Sequence, residues 1–341
     1  MKKNMHGVVL GLAVFCICIA AGISAPAPSL ADTVTLTYSN FFPPTHIQSR
    51  LAESWCQEVE RRTDGRVKVQ YFAGQTLTKA RQTYDAVVDG IADIGFSAFA
   101  YSRGRFPVMG AIDMPMGYPD GVTATAVANM IYERFKPKEL DDTELMYIHA
   151  HGPGFIHTRG RAVRSLEDLK GLKIRSTGTS AQMVKALGGT PVPMPMPEAY
   201  QSLQKGVVDG SAHPLETNKG WKLGEVVDYV TLAYPVAYTT SFFVVMNKSK
   251  WNALSPKDQE TIRAINKAWS VKHGEAWDSS DKEGLKFFLD KGHQTVELEA
   301  KEAARWQAAV APLIDAYAGE LNQKGLHGSE VIAAIRQALK K

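Results

Sequence analysis

Residues 165 to 178 read SLEDLKGLKIRSTG, and the fold class turns on them. Ser165 and Asp168 stand at the S-x-x-D spacing of a helix N-cap box, so a short helical turn is expected there, stopping at Gly171. Leu172 and Ile174 then alternate with Lys173 and Arg175, the two-residue period of a strand with one buried face. Arg175 therefore sits at the end of a strand, just before the loop of Thr177, Gly178 and Thr179. In alternating α/β folds ligands bind outside the carboxyl ends of the strands. A guanidinium held there offers a planar fork of donors suited to a carboxylate. The same arginine could instead pair with a surface acid, and the local sequence leaves both readings open.

Outward from this stretch, the chain keeps the α/β rhythm. Val34 to Ser39 alternates like a first strand and is broken at Asn40-Phe41-Phe42-Pro43-Pro44. Ile47, Leu51, Trp55 and Val59 recur every four residues and form one apolar helix stripe. Strands follow at 66–72, after Gly90, at 145–150 and at 241–246, with helices at 79–89 and between Gly178 and Gly188. Residues 86–93, AVVDGIAD, are echoed by 202–209, SLQKGVVD, each reading as helix, glycine stop and strand after an acidic turn. Two copies of one unit, about 115 residues apart, indicate two α/β lobes of similar construction. Gly152-Pro153-Gly154 reads as a break between them. Ser255 opens a helical run reaching Leu289, which at 1.5 Å per residue is on the order of 50 Å long and is expected to lie across both lobes.

Composition narrows the class further. Lys2 and Lys3 precede an apolar run from Val8 to Ile23 and then Ser29-Leu30-Ala31, the pattern of a secretory signal peptide over 1–31. Cys16 and Cys18 fall inside that run without the setting of a lipid-attachment site, and Cys56 is alone and reads as a small core residue. No later stretch is apolar for the roughly 20 residues that span a bilayer, so an exported chain that does not itself cross the membrane is expected. Without Lys2 and Lys3 the 39 basic side chains fall by two against 35 acidic ones, a balance that gives no argument for nucleic acid.

Enzyme signatures are absent: there is no GxSxG elbow, HExxH helix, Walker loop or GxGxxG after a strand. His149, His151 and His157 could form a metal site, though no acid or thiol ligand stands near them in sequence. Met194 and Met196 suit packing or an adaptable apolar surface. Trp55, Trp221 and Trp251 read as core, with Trp221 the one closest to a cleft.

The blocks DLKGLKIR (168–175), LGGTPVPM (187–194) and EAYQSLQKGVVDG (198–210), with TDGRVKV and GIADIGF earlier, resemble the solute receptors of TRAP (tripartite ATP-independent periplasmic) transporters across 32–341. The resemblance implies a two-lobe periplasmic binding protein fold, with a ligand cleft between the lobes and a long helix spanning both. It places a first lobe at 32–152 plus 241–280 and a second at 153–240 plus 281–341. It further implies a periplasmic receptor, with no enzymatic activity and no cofactor, that binds a small organic acid and delivers it to membrane permease subunits driven by an ion gradient. In the family the arginine of the K-G-L-K-x-R motif holds the ligand carboxylate, which here is Arg175. Some members carry a second arginine where this chain has Phe155, and many carry an asparagine where it has His213. With Met196, Phe41 and Phe99 around it, one guanidinium suits a monoanion with an apolar or aromatic body. His213 and Asn218 are the expected hydrogen-bonding residues, Ser97 is expected to meet the ligand from the first lobe, and His157 is a further candidate. The competing readings are an exported enzyme acting on small acids and a metal receptor built on His149, His151 and His157.

Overall fold

The computed structural model describes residues 33–340, so the signal peptide expected at 1–31 lies outside the described residues. In chain order, β1 (Val34–Asn40), α1 (Ile47–Arg62), β2 (Val67–Phe72), α2 (Thr83–Val88), β3 (Ile94–Ala98), α3 (Gly121–Phe135) and β4 (Thr143–Ala150) build the first lobe. The chain then crosses into β5 (Gly154–Thr158), α4 (Leu166–Leu169), β6 (Lys173–Ser176), α5 (Gly178–Ala186), β7 (Thr190–Pro193), α6 (Ala199–Gln204), β8 (Gly210–Pro214), α7 (Thr217–Gly220) and β9 (Tyr229–Leu232). It returns as β10 (Ser241–Asn247), α8 (Lys248–Asn252) and α9 (Pro256–Asp290), and ends in β11 (Gln294–Glu297), α10 (Ala300–Gln323) and α11 (Gly328–Leu339).

Two mixed sheets result, ordered β2-β1-β3-β10-β4 and β11-β9-β5-β8-β6-β7. Each has a parallel trio, β2-β1-β3 or β7-β6-β8, flanked by an antiparallel strand that has crossed over from the other lobe, β10 or β5. The repeated sequence unit is the same piece of both sheets. Gly90 (φ 75°) stops the chain after α2 and Gly206 (φ 68°) after α6, both in the left-handed region that favours glycine. The aspartate after each stop ties its strand to its neighbour: Asp93 accepts from the Thr37 amide at 2.8 Å and Asp209 from the Lys173 amide at 2.8 Å.

The opening stretch folds as its spacing requires. Ser165 and Asp168 form a reciprocal capping box on α4, Gly171 takes φ 81°, and β6 follows. One detail differs from a half-buried strand: Ile174 is buried on the core face and Arg175, on the other, is also buried, with 2% exposure.

Ser255 caps α9, its hydroxyl accepting from the Asp258 amide at 3.1 Å. The 35 residues of α9 pack Ile262, Ile265, Trp269 and Trp277 into the first core, and Phe288 into the second. Where α9 passes the second lobe it touches backbone, since a Cβ at Gly284 would stand 2.1 Å from the Leu215 carbonyl oxygen. The chain end departs from the expected division of 281–341 into the second lobe. Trp306 and Val310 of α10 do pack there, but Ile314, Ala318 and Leu321, one to three turns later, join the first core with Val331, Ile332 and Ile335 of α11. A 24-residue amphipathic helix is long enough to bury one stripe against both lobes in succession.

Gly284→Ala should lower stability by about 1–3 kcal/mol, because an added methyl must displace fixed backbone. Gly319→Ala, a helical site with nothing within 4 Å of the added carbon, should leave stability equal or slightly higher. Thermal unfolding of the two variants side by side checks the contrast.

Candidate functional site

Between the sheets lies a narrow cavity of about 30 Å³. Its walls come from both lobes: Phe41, Phe42, Tyr101 and Phe242 from the first, Arg175, Met196, His213, Glu216 and Trp221 from the second. His151, Tyr238 and Thr240 of the two crossing segments and Trp277 of α9 close the rest. The crossings run side by side, the His151 amide donating to Thr240 O at 3.3 Å and the Gly154 amide to Tyr238 O at 2.7 Å.

Arg175 is the fixed cation of this wall. Its Nε donates to Met194 O at 2.9 Å and its Nη1 to Ala212 O at 3.2 Å, so the residue just past β7 on one side and β8 on the other hold the guanidinium plane. Among the described residues no carboxylate pairs with it, and the Tyr101 hydroxyl of the first lobe stands beside it. A buried guanidinium without a counter-charge is costly, and two carbonyl dipoles only partly offset it. Thr177 caps α5 directly after the strand, and Gly178 (φ 49°) stands so near Ala100 of the first lobe that an added Cβ would be 2.9 Å from that side chain. Further contacts join the lobes at this edge: the Met196 amide donates to Tyr101 Oη at 3.1 Å, and Arg81 Nη2 to Pro193 O at 3.3 Å.

Histidines supply the neutral polar lining. His151 donates from Nδ1 to Gly152 O, which leaves Nε2 as an acceptor on the cavity side. Burial lowers its pKa to about 4, against the raising effect of that hydrogen bond, so the ring is neutral at pH 7. His213 is fully buried, and neither ring nitrogen has a hydrogen bond among the described residues. Burial, the His157 ring and the Arg175 guanidinium, in that order, push it well below the usual imidazole range.

The expected site residues divide. Arg175, Met196, His213 and Phe41 do line the cavity. Ser97 does not, because its hydroxyl donates to Ala80 O at 2.7 Å on the other side of β3. Phe99 turns into the first core between Phe106 and Phe243, with ring centroids 5.1 and 5.2 Å away. Phe155 lies in the second core, edge-on to Tyr234 at 5.0 Å, and so is not part of the cavity wall. His157 stacks behind His213 at 3.7 Å, and Asn218 stands behind both, its Nδ2 3.2 Å from His157 Nε2. Those two support the wall rather than form it.

The three-histidine metal site is not assembled. His149 lies stacked on His273 at 4.3 Å and accepts from Trp277 Nε1 at 3.0 Å, while His157 is in the other sheet. Among the described residues no cluster of three or more His, Cys, Asp or Glu is placed to hold a metal ion. Sequence reasoning missed Phe42, Tyr101, Glu216, Tyr238, Phe242 and Trp277. Only the turn at 40–44 and the crossing at 238–241 pointed near them.

Bacterial extracellular solute-binding protein, family 7, is the description of the family model that matches residues 38–320. A marine metagenome TRAP solute-binding protein specific for aromatic acid ligands, solved with 3-hydroxybenzoate, is similar at TM-score 0.85 and 30% identity, over 91% of this chain and 98% of that one. A TRAP solute-binding protein from Rhodoferax ferrireducens, solved with benzoate, is similar at TM-score 0.85 and 27% identity, over 90% of this chain and 98% of that one. The C4-dicarboxylate-binding periplasmic protein of Rhodobacter capsulatus is 27% identical over 97% of this chain and 98% of its own length.

His157, behind the wall, gives the site a pH signature. In the unfolded chain His157 titrates near 6.5, whereas burial holds it unprotonated in the fold down to about 3. Between those values the unfolded state holds the extra proton, so this residue's contribution weakens as pH falls from 6.5. The stability gap between the native protein and His157→Gln should shift in the variant's favour by about 1.4 kcal/mol per pH unit from pH 6 to 4. Denaturant titrations at those pH values measure it.

Proposed function

The chain belongs to family 7 of the bacterial extracellular solute-binding proteins, the periplasmic solute receptors of TRAP transporters, and on that premise we propose that it binds one monoanionic organic acid with an apolar or aromatic body. It is a binding protein and not an enzyme. Among the described residues no helix is long and apolar enough to cross a membrane. The observation that carries the proposal is Arg175: 2% exposed, braced by two carbonyls, unpaired with any acid among the described residues, and facing an aromatic cavity. The ligand carboxylate takes the free edge of this guanidinium, and a charge-assisted pair in so buried a site is strong. Phe41, Phe42, Trp221, Phe242 and Trp277 cover the rest of the ligand. The relatives that bind benzoate and 3-hydroxybenzoate support an aromatic acid; the dicarboxylate-binding relative supports the wider class only.

The receptor is exported through a signal peptide cleaved after residue 31 and delivers its ligand to the permease subunits of a TRAP transporter. The lobes divide at 152 and 241, and closure is a rotation about the paired crossings. The rim contacts from Tyr101 and Arg81 reach the opposite lobe, and the ligand selects the closed state by touching both walls as well.

Arg175→Ala should fold and lose binding by at least about 100-fold in calorimetry, as expected when one partner of a buried charge pair is truncated. Unchanged affinity would refute its role. A thermal-shift panel of aromatic acids, aliphatic monocarboxylates, dicarboxylates, sugar acids and sulfonates should give its largest shift with an aromatic monoacid. A dicarboxylate giving the largest shift would overturn the monoanion reading.

A further inference from the structure

The cavity wall contains a carboxyl group as well as a guanidinium. Glu216 follows β8 at the start of α7, is 2% exposed, and lines the cavity beside Thr217 and Trp221. Its position is over-determined. The Glu216 amide donates to Asp281 Oδ1 of α9 at 2.8 Å, and the Thr217 hydroxyl donates to Pro214 O at 2.7 Å. One oxygen is used by the opposite lobe. His46 Nδ1 accepts from the Gln48 amide at 3.2 Å, which puts the ring proton on Nε2, and Nε2 donates to Glu216 Oε2 at 2.9 Å. His46 itself is 1% exposed. The pair leaves no room beside it, since a Cβ at Gly220 would fall 2.6 Å from Glu216 Oε2. Oε1 has no hydrogen bond among the described residues.

A carboxyl oxygen held almost wholly out of water, with its twin already committed, is an acceptor in want of a donor. We infer that Glu216 is a specificity-determining residue: it accepts a hydrogen bond from a hydroxyl on the body of the ligand and excludes a second carboxylate. The inference rests on the organic-acid reading of the cavity and goes beyond it, since Arg175 alone would admit any acid of suitable shape. Two carboxylates brought together in so buried a site cannot both stay ionised. An ether or a bare ring would cover Oε1 and leave it unpaired, and a site built to bond a hydroxyl discriminates strongly against analogues that lack it. The neutral rings of His151 and His213 are further acceptors on the wall, so the test must separate Glu216 from them.

Calorimetry on the intact protein uses two matched series. The aromatic one is benzoate with hydroxy-, methoxy- and carboxy-substituted benzoates at each ring position. The aliphatic one is valerate, 5-hydroxyvalerate, 5-methoxyvalerate and glutarate. In the series that binds, the hydroxy acid should bind at least about tenfold tighter than its methoxy analogue, with the diacid weakest. In Glu216→Gln, whose amide can donate, the hydroxy-to-methoxy ratio should fall and the diacid should gain relative to the monoacids. Equal binding of hydroxy and methoxy acids by the native protein overturns the inference. So does a ratio preserved in Glu216→Gln, which would move the role to the wall histidines, His151 or His213. If Glu216→Gln shows no cooperative melting, the native series decides alone, and a diacid matching the hydroxy acid overturns it. Binding of acids without these preferences defeats only this inference. Binding of no acid in either series defeats the reading of an apolar or aromatic monoanion, and this inference with it.

Discussion

A buried guanidinium must be answered by something, and much of the second lobe is arranged around how Arg175 is answered. Burial of a charge costs several kcal/mol unless it is paired or well hydrogen-bonded. β8 and the residue just past β7 each turn one carbonyl, Ala212 O and Met194 O, onto the Nη1 and Nε edges. These fix the plane and take two of the donors. What they do not supply is negative charge, so the remaining edge favours an anion over any neutral molecule. The neighbouring histidines reinforce that preference by staying neutral: burial lowers His151 to about 4 and pushes His213 well below the usual imidazole range. The wall thus has one permanent positive charge and no diffuse positive field, which suits a single carboxylate.

The sequence made the backbone readable, whereas the direction of side chains was readable only in part. The capping box at Ser165, the glycine stops at Gly90 and Gly206, and the long helix from Ser255 rest on local chemistry, and local chemistry is what a sequence displays. Arg175 could be found because two-residue alternation put it opposite Ile174, and the resemblance to a family gave it a role. Ser97 and Phe99 differ from expectation for another reason. They lie at the cleft end of β3, but which face of that strand meets the cleft depends on the turn of the whole sheet, and both face away from it. Phe155 is opposite His213 in the β5–β8 register, yet its ring goes to the core while His213 reaches the cavity wall. Glu216 was invisible because its setting is made by His46 and Asp281, 170 and 65 residues away in the chain.

The end of the chain shows a similar limit. Amphipathic periodicity predicts that α10 buries a stripe, and it does, but the period does not say against what. The stripe begins on the second lobe at Trp306 and ends on the first at Leu321. Together with α9 and the two crossing segments, this makes four connections between lobes that are otherwise separate sheets. A rotation about the crossings must be taken up in α9 and α10 as well, so the lobes can move only along directions that bend or slide two helices.

The duplicated unit makes the asymmetry of the cavity instructive. In β1 and β6 the residue next to the neighbouring strand's second position is Ser39 in one and Arg175 in the other, by the registers Ser39–Gly95 and Arg175–Ser211. Ser39 is spent inside its lobe on the Thr78 hydroxyl, 2.7 Å away. Its lobe brings rings instead, Phe41 and Phe42 from the loop that follows β1, with Phe41 lying nearly parallel to Trp221 across the cleft at 6.2 Å. One copy of the unit therefore carries the charge and the other the apolar cover. For a ligand with a carboxylate and an apolar body, this division orders the work of binding. The long-range attraction is to one lobe alone and does not require closure, whereas burial of the ligand's body requires both. Closure then removes water from the Arg175 pair, and the electrostatic term strengthens as the apolar term is gained. The two terms are coupled through a single motion, so an anion without an apolar body gains the first without driving the second.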